Sequence, residues 1–191
     1  MPLRVSAGGL RGRVLATVEG RAVRPSSGLV RGAIFNVLQA QGLTEGASVL
    51  DLYAGSGALG IEALSRGARR ALLVERDARS LEALRRNVAT LKISDRATVV
   101  NRDALAYLAD CADRFDLVMA DPPYDQKAAA DILRVVSDRK LLCEGGVLVI
   151  QQSSRDETAP GAGALELWKQ KKHGKTAVNF YRSISTGYES L

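Results

Sequence analysis

The 191 residues are 46% apolar and 25% charged, which suits one globular domain and excludes intrinsic disorder and reliance on disulfide or metal staples. No run approaches the ~20 apolar residues of a membrane span, and Arg4, Arg11 and Arg13 occupy the place where a secretory leader carries its apolar core, so a cytoplasmic location is expected. The net charge of +6 is uneven: residues 1–31 hold six arginines and one acid, the stretch 32–166 is mildly acidic, and residues 167–191 hold five bases and one acid, a distribution that suits a polyanionic partner.

In chain order, Leu3, Val5 and Ala7, then Leu10, Val14, Ala16 and Val18, alternate loosely about Gly8-Gly9 and predict a hairpin. Ser26 or Ser27 is expected to cap a helix carrying Leu29, Val30, Ala33, Ile34, Val37 and Leu38 at helical spacing, ended by Gly42. A βα alternation then begins. Short apolar strands are predicted at 49–52, 71–74, 97–100, 115–120 and 147–150. Helices are predicted over 58–65, 80–91, around Leu105–Ala109, and over 128–136. Leu165–Trp168 and Val178–Ile184 read as a closing antiparallel pair. Strands separated by helices imply a mostly parallel, doubly wound sheet with helices on both faces. Ligands of such sheets bind beyond the carboxyl ends of the strands.

Four motifs sit there. Asp51 to Gly60 follows the first strand. Gly55 and Gly57 permit a tight turn and close backbone approach to a ligand, with Tyr53 and Ser56 beside them. The spacing of Gly55, Gly57 and Gly60 is that of a dinucleotide loop, but the Asp51 carboxylate at its mouth disfavours pyrophosphate and suits a cationic ligand bearing an ammonium and a sulfonium. Glu75, with Arg76 after it, ends the second strand, where its two oxygens can accept both hydroxyls of a ribose. Asp103-Ala104 follows the third strand, where Asp103 can accept an adenine amine or cap the next helix. Asp121-Pro122-Pro123-Tyr124 ends the fourth. Its two prolines remove N–H donors, Asp121 adds an acceptor, and Tyr124 offers a ring, which together make a receptor for a planar group bearing –NH₂. Cys111, Cys143 and the single His173 form no metal-ligand pattern, and no metal is expected.

Together these motifs resemble those of the S-adenosylmethionine-dependent amino-methyltransferases of Rossmann-like fold. Arg24-Pro25-Ser26-Ser27, Val30-Arg31, Phe35-Asn36-Val37-Leu38 and the run Leu59 to Ala68 further resemble the RsmD family, bacterial methyltransferases of the exocyclic 2-amino group of a guanine in 16S rRNA. The resemblance implies a class I methyltransferase fold with a seven-stranded sheet and an antiparallel final pair. It implies S-adenosylmethionine held by Asp51, Tyr53, Gly55, Ser56, Gly57, Glu75, Arg76, Asp103 and Ala104, and the target base held by Asp121, Pro122, Pro123 and Tyr124. Residues 1–22 would form an RNA-facing hairpin and residues 23–191 the methyltransferase domain, with Arg4, Arg11, Arg13, Arg21, Arg24 and Arg31 as RNA contacts. The partner would be small-subunit rRNA, in an assembled or partly assembled 30S particle. Amino-methylation of another base, a nicotinamide-dependent oxidoreductase and a non-catalytic RNA-binding assembly factor are the competing readings.

Overall fold

Parallel strands covered on both faces need apolar residues at successive positions, and Ser48–Leu52 (β1) and Phe115–Ala120 (β4) are buried almost throughout. The structure, a computed structural model, describes residues 2–18, 25–123 and 126–183. With Arg70–Glu75 (β2), Ala97–Asn101 (β3), Leu142–Ser153 (β5), Gly161–Ala162 (β6), Leu165–His173 (β7) and Thr176–Ser183 (β8), the strands form one sheet in the order β3-β2-β1-β4-β5-β8-β7-β6. The first five strands are parallel, and β8, β7 and β6 are antiparallel to their neighbours. This is the expected fold, with eight strands among the described residues where seven were expected: the two-residue β6, in the Gly/Ala-rich stretch after residue 158, is too short to carry a periodic signal. The final pair is also longer than expected, because charged residues hide the alternation of β7.

Helices Pro25–Ala40 (α1), Ala58–Ser65 (α2) and Ala78–Thr90 (α3) cover one face, where Ile34, Phe35, Ile61, Leu84 and Val88 meet Val49, Met119 and Val149. Ala104–Asp110 (α4) and Gln126–Asp138 (α5) cover the other, where Leu108, Ile132 and Val136 meet Leu50, Val118 and Ile150. Helix α1 begins at Pro25, so Ser26 and Ser27 lie in its first turn rather than capping it; proline suits that turn because its missing N–H has no intrahelical partner there. Helix α3 begins at Ala78, two residues before the predicted start, because the Asp77 carboxylate caps it, accepting from Ser80 N at 2.9 Å.

The N-terminal hairpin forms, with Arg4 and Val14 paired and Leu15 N donating to Leu3 O at 2.8 Å. It is built into the body. Leu3, Val5 and Leu15 join the core of the α1–α3 face, and Gly9 N donates to the carbonyl of Ser65, the last residue of α2.

Candidate active site

The strand order reverses between β1 and β4, so the loops leaving their carboxyl ends open a crevice. Leu52 is paired with Ala120. The glycine loop and the Asp121-Pro122-Pro123 loop therefore leave the sheet side by side.

Asp51 is 1% exposed, and its Oδ2 accepts from Gly60 N at 2.8 Å, across the start of α2. The fit there is close: a Cβ at position 60 would lie 2.2 Å from the Leu73 side chain, which would have to shift. The loop reverses through left-handed residues: Tyr53 at φ 58°, Gly55 at 57° and Gly57 at 85°. A Cβ on Gly57 would also come within 2.5 Å of Leu84, whereas one on Gly55 would meet only the Tyr53 carbonyl, at 4.0 Å. The front of the loop at Gly55 is open. Tyr53 is a bulky residue in a conformation costing about 1 kcal/mol or more, a strain typical of ligand-holding turns.

Glu75 is half-buried and spans two elements. Its Oε2 accepts from Gly55 N at 2.8 Å, and its Oε1 accepts from Arg76 N at 2.7 Å and Asp77 N at 2.8 Å. Glu75 thus ties the glycine loop to the end of β2, and with its other lone pairs taken by the three N–H groups it keeps one on Oε2 for a ligand hydroxyl. Asp103 does cap α4, accepting from Leu105 N at 3.0 Å and Ala106 N at 3.1 Å, and its other oxygen meets Arg76 at 2.9 Å. That pair is solvent-exposed and contributes little to stability. Ala104 and Pro122 are buried, whereas Asp121 and Pro123 are exposed. Tyr124, Arg21 and Arg24 lie outside the described residues.

Four carboxylates therefore gather at one edge. Burial, joined by the nearby charges of Asp121 and Glu75 and opposed by the Gly60 hydrogen bond, raises the Asp51 pKa from 3.8 to about 7. The donor set suits a cation, and the open front at Gly55 leaves space for one. The pKa sign gives a test. Folded Asp51 keeps its proton to about pH 7, while the unfolded carboxyl ionises near 3.8, so its contribution becomes unfavourable as pH rises across that interval. Asp51→Asn is expected to be more stable than wild type at pH 8, with the gap closing towards pH 4. Melting temperatures of both proteins across that range check it, and a pH-independent gap would refute it.

The described basic residues do not share one surface. Arg4, Arg11 and Arg13 are exposed on the hairpin, and Arg13 reaches the carbonyl of Thr90, at the far end of α3. Arg31, expected on the RNA-facing surface, is buried at 5% exposure. Its guanidinium lies 3.3 Å from Glu62 and donates to the Arg4 carbonyl at 2.6 Å. This corrects the expectation: the charge of Arg31 is spent on an internal acid that the motif reading passed over.

Glu62 is fully buried and accepts from Ser6 N (2.8 Å), Ser6 Oγ (2.7 Å), Ala7 N (3.1 Å) and Arg66 Nε (2.8 Å). Burial alone would raise its pKa; the Ser6 backbone and hydroxyl bonds, Arg66 and Arg31 outweigh burial and hold it below the usual carboxylate range. Asn87 was also passed over. Buried on α3, it exchanges hydrogen bonds with Ala16 and donates to Ser56 O at 2.9 Å, linking hairpin and glycine loop. The available signals were an acid inside the otherwise apolar α2 and an amide on the apolar stripe of α3.

Among the described residues, no cluster of His, Cys, Asp and Glu forms a metal-holding group, and no helix is long and apolar enough to cross a membrane. The family model described as "conserved hypothetical protein 95" matches residues 3–182. The chain is 31% identical to ribosomal RNA small subunit methyltransferase D of Escherichia coli, covering 97% of this chain and 92% of that protein. It is 30% identical to the protein of that name from Haemophilus influenzae, covering 95% and 94%. Among solved structures, the Escherichia coli protein yhhF superposes with a TM-score of 0.86 at 32% identity, over 96% of this chain and 98% of that one. A Thermus thermophilus 16S rRNA methyltransferase solved with S-adenosylmethionine and guanosine shares the fold, with a TM-score of 0.71 at 24% identity, over 96% of this chain and 50% of that one.

Proposed function

This chain belongs to the conserved hypothetical protein 95 family, that of ribosomal RNA small subunit methyltransferase D, and on that premise we propose that it methylates the exocyclic 2-amino group of a guanine in small-subunit rRNA, with S-adenosylmethionine as methyl donor. The substrate is an assembled or partly assembled 30S particle in the cytoplasm. The observation that carries this reading is the adjacency, across the Leu52–Ala120 pair, of a carboxylate-lined glycine loop and a donor-poor Asp-Pro-Pro loop.

Asp51 and the open front at Gly55 would receive the charged methionine end of the donor, Glu75 its ribose, and Asp103 with Ala104 its adenine. When bound, the donor supplies an electrophilic methyl group on a cationic sulfur. The protein's own part is orientation. Asp121 and the carbonyls of its loop accept the hydrogens of the guanine amine, directing the nitrogen lone pair away from them. The buried Pro122 fixes that geometry and offers no competing N–H. The proton that the amine loses after transfer passes to Asp121 or to water. The ring of Tyr124 is assigned to stacking on the base, which must be turned out of its surroundings to reach this loop. Arg4, Arg11 and Arg13 are assigned to outer phosphate contacts.

The test is transfer of a labelled methyl group to small subunits lacking the modification, with naked rRNA in parallel, followed by mapping of the labelled base. Label on a guanine 2-amino group is the expected result. Label on another base would favour the wider amino-methyltransferase reading, and no transfer would favour a non-catalytic assembly factor.

A further inference from the structure

We infer that the turn between β7 and β8, through Lys171, Lys172 and Lys175, grips the RNA phosphate backbone next to the target nucleotide. The inference rests on the proposed function and adds to it a surface on which the substrate lies.

Strand register fixes where this turn is. Ala120, the last residue of β4, pairs with Ile150; Ile150 pairs with Asn179; and Asn179 pairs with Gln170. These four residues form one row across the sheet. Both strands continue past that row for three more residues, to the pair His173–Thr176. At about 3.3 Å per residue, the turn projects ~10 Å beyond the level at which Asp121 begins its loop. With strands about 4.8 Å apart, it lies ~10–14 Å to the side. The lysines therefore stand on the same edge as the target loop, at a distance that a few nucleotides span.

The turn is presented rigidly. Ser154, just beyond β5, donates through its N–H to Lys175 O at 2.9 Å and through its hydroxyl to Gly174 O at 3.0 Å. A charge held on a braced turn loses less freedom on binding than one on a loose tail. Lys171, Lys172 and Lys175 are exposed, and none takes part in the ion pairs found among the described residues. Lys169 differs: it stands over the Trp168 ring at 5.7 Å and belongs to the sheet face. Exposed Arg155 adds a further positive charge beside Ser154. The backbone after it folds back on β5, where Gln152 Nε2 donates to the carbonyls of Asp156 (3.4 Å) and Glu157 (3.2 Å), with the Glu157 side chain exposed.

The hairpin arginines occupy the opposite end. Helix α2 starts at the carboxyl end of β1 and runs back to Ser65, where the hairpin turn is bonded. Among the described basic residues, those of the β7–β8 turn are thus nearer the reacting end of the sheet than Arg11 and Arg13 of the hairpin turn. Lysines act there as point charges on phosphates and do not read bases.

The test compares Lys171→Gln/Lys172→Gln/Lys175→Gln with Arg11→Gln/Arg13→Gln in methyl transfer to small subunits over a salt series. For the lysine variant, KM is expected to rise about tenfold near 0.15 M salt, and the slope of log affinity against log salt to flatten by roughly 2–3, as for the loss of three phosphate contacts. Its kcat and its affinity for S-adenosylmethionine should be unchanged, and the three Lys→Arg replacements should restore KM. The arginine variant is expected to change KM less. An unchanged KM and salt slope in the lysine variant, with normal wild-type transfer, would overturn the inference alone. Failure of the wild-type chain to methylate subunits would overturn the proposed function and this surface with it.

Discussion

Asp121→Ala is expected to lower kcat for methyl transfer by about 10²–10⁴-fold, the range for loss of a positioned group that handles a proton, while S-adenosylmethionine binds within about twofold of wild type. The split follows from where Asp121 stands. It is exposed and leaves β4, so its removal creates no cavity. The loop that would hold the donor is built by other contacts: Asp51 to Gly60, Glu75 to Gly55 and Asn87 to Ser56. Asp121 does raise the pKa of Asp51 through its charge; its removal lets Asp51 ionise more readily, which works in favour of a cationic ligand. Asp121→Asn keeps a carbonyl acceptor for the amine but cannot take up its proton, and should fall between alanine and wild type. Single-turnover transfer and calorimetric titration of the donor check both variants. Equal losses for Ala and Asn would mean that the negative charge, not the acceptor geometry, is what the loop supplies.

The second large effect is on stability. Glu62→Ala should cost about 3–5 kcal/mol, the usual penalty for breaking a buried ion pair, and lower Tm by roughly 6–20 °C in a domain of this size. The side chain is fully buried and holds three parts together: Ser6 and Ala7 of the hairpin, Arg31 of α1 and Arg66, the C-cap of its own helix. Removing it leaves two buried guanidiniums facing each other and frees two N–H groups of the hairpin. Glu62→Gln retains hydrogen-bond acceptance but not charge, and should fall between alanine and wild type. Because the pKa of Glu62 is held low, its contribution is present at neutral pH and is lost as pH falls through that lowered value. The gap between wild type and Glu62→Gln should therefore narrow in acid. Urea unfolding at pH 7 and at pH 3 measures it, and a constant gap would count against an ionic role.

The two cases differ in how visible they were in the amino-acid sequence. Asp121 follows an apolar run and precedes two prolines, so strand end, loop and acceptor were all local signals. The same holds for Asp51 and Glu75, because a parallel sheet places its functional residues just past continuous apolar strands. Glu62, Arg31 and Asn87 were not legible. Each works through a partner more than 25 residues away, and periodicity reports which face of a helix is apolar without naming what lies against it. Arg31 shows the error this causes: a basic residue in a basic segment was expected at the surface, and tertiary packing turned it inward. Local pattern also underread β7, where lysines occupy a strand held by pairing with β8.

The bonds from Ser6 to Glu62 and from Ala16 to Asn87 join residues 56 and 71 positions apart. During synthesis at about 5–20 residues per second, the hairpin leaves the ribosome roughly 3–14 s before α2 and α3 exist to receive it. Leu3, Val5 and Leu15 must wait in water, or in the care of a chaperone, for that interval. The hairpin is thus made before the elements that receive it and is among the last to find its place, so nascent chains should be most prone to aggregation until α3 has emerged.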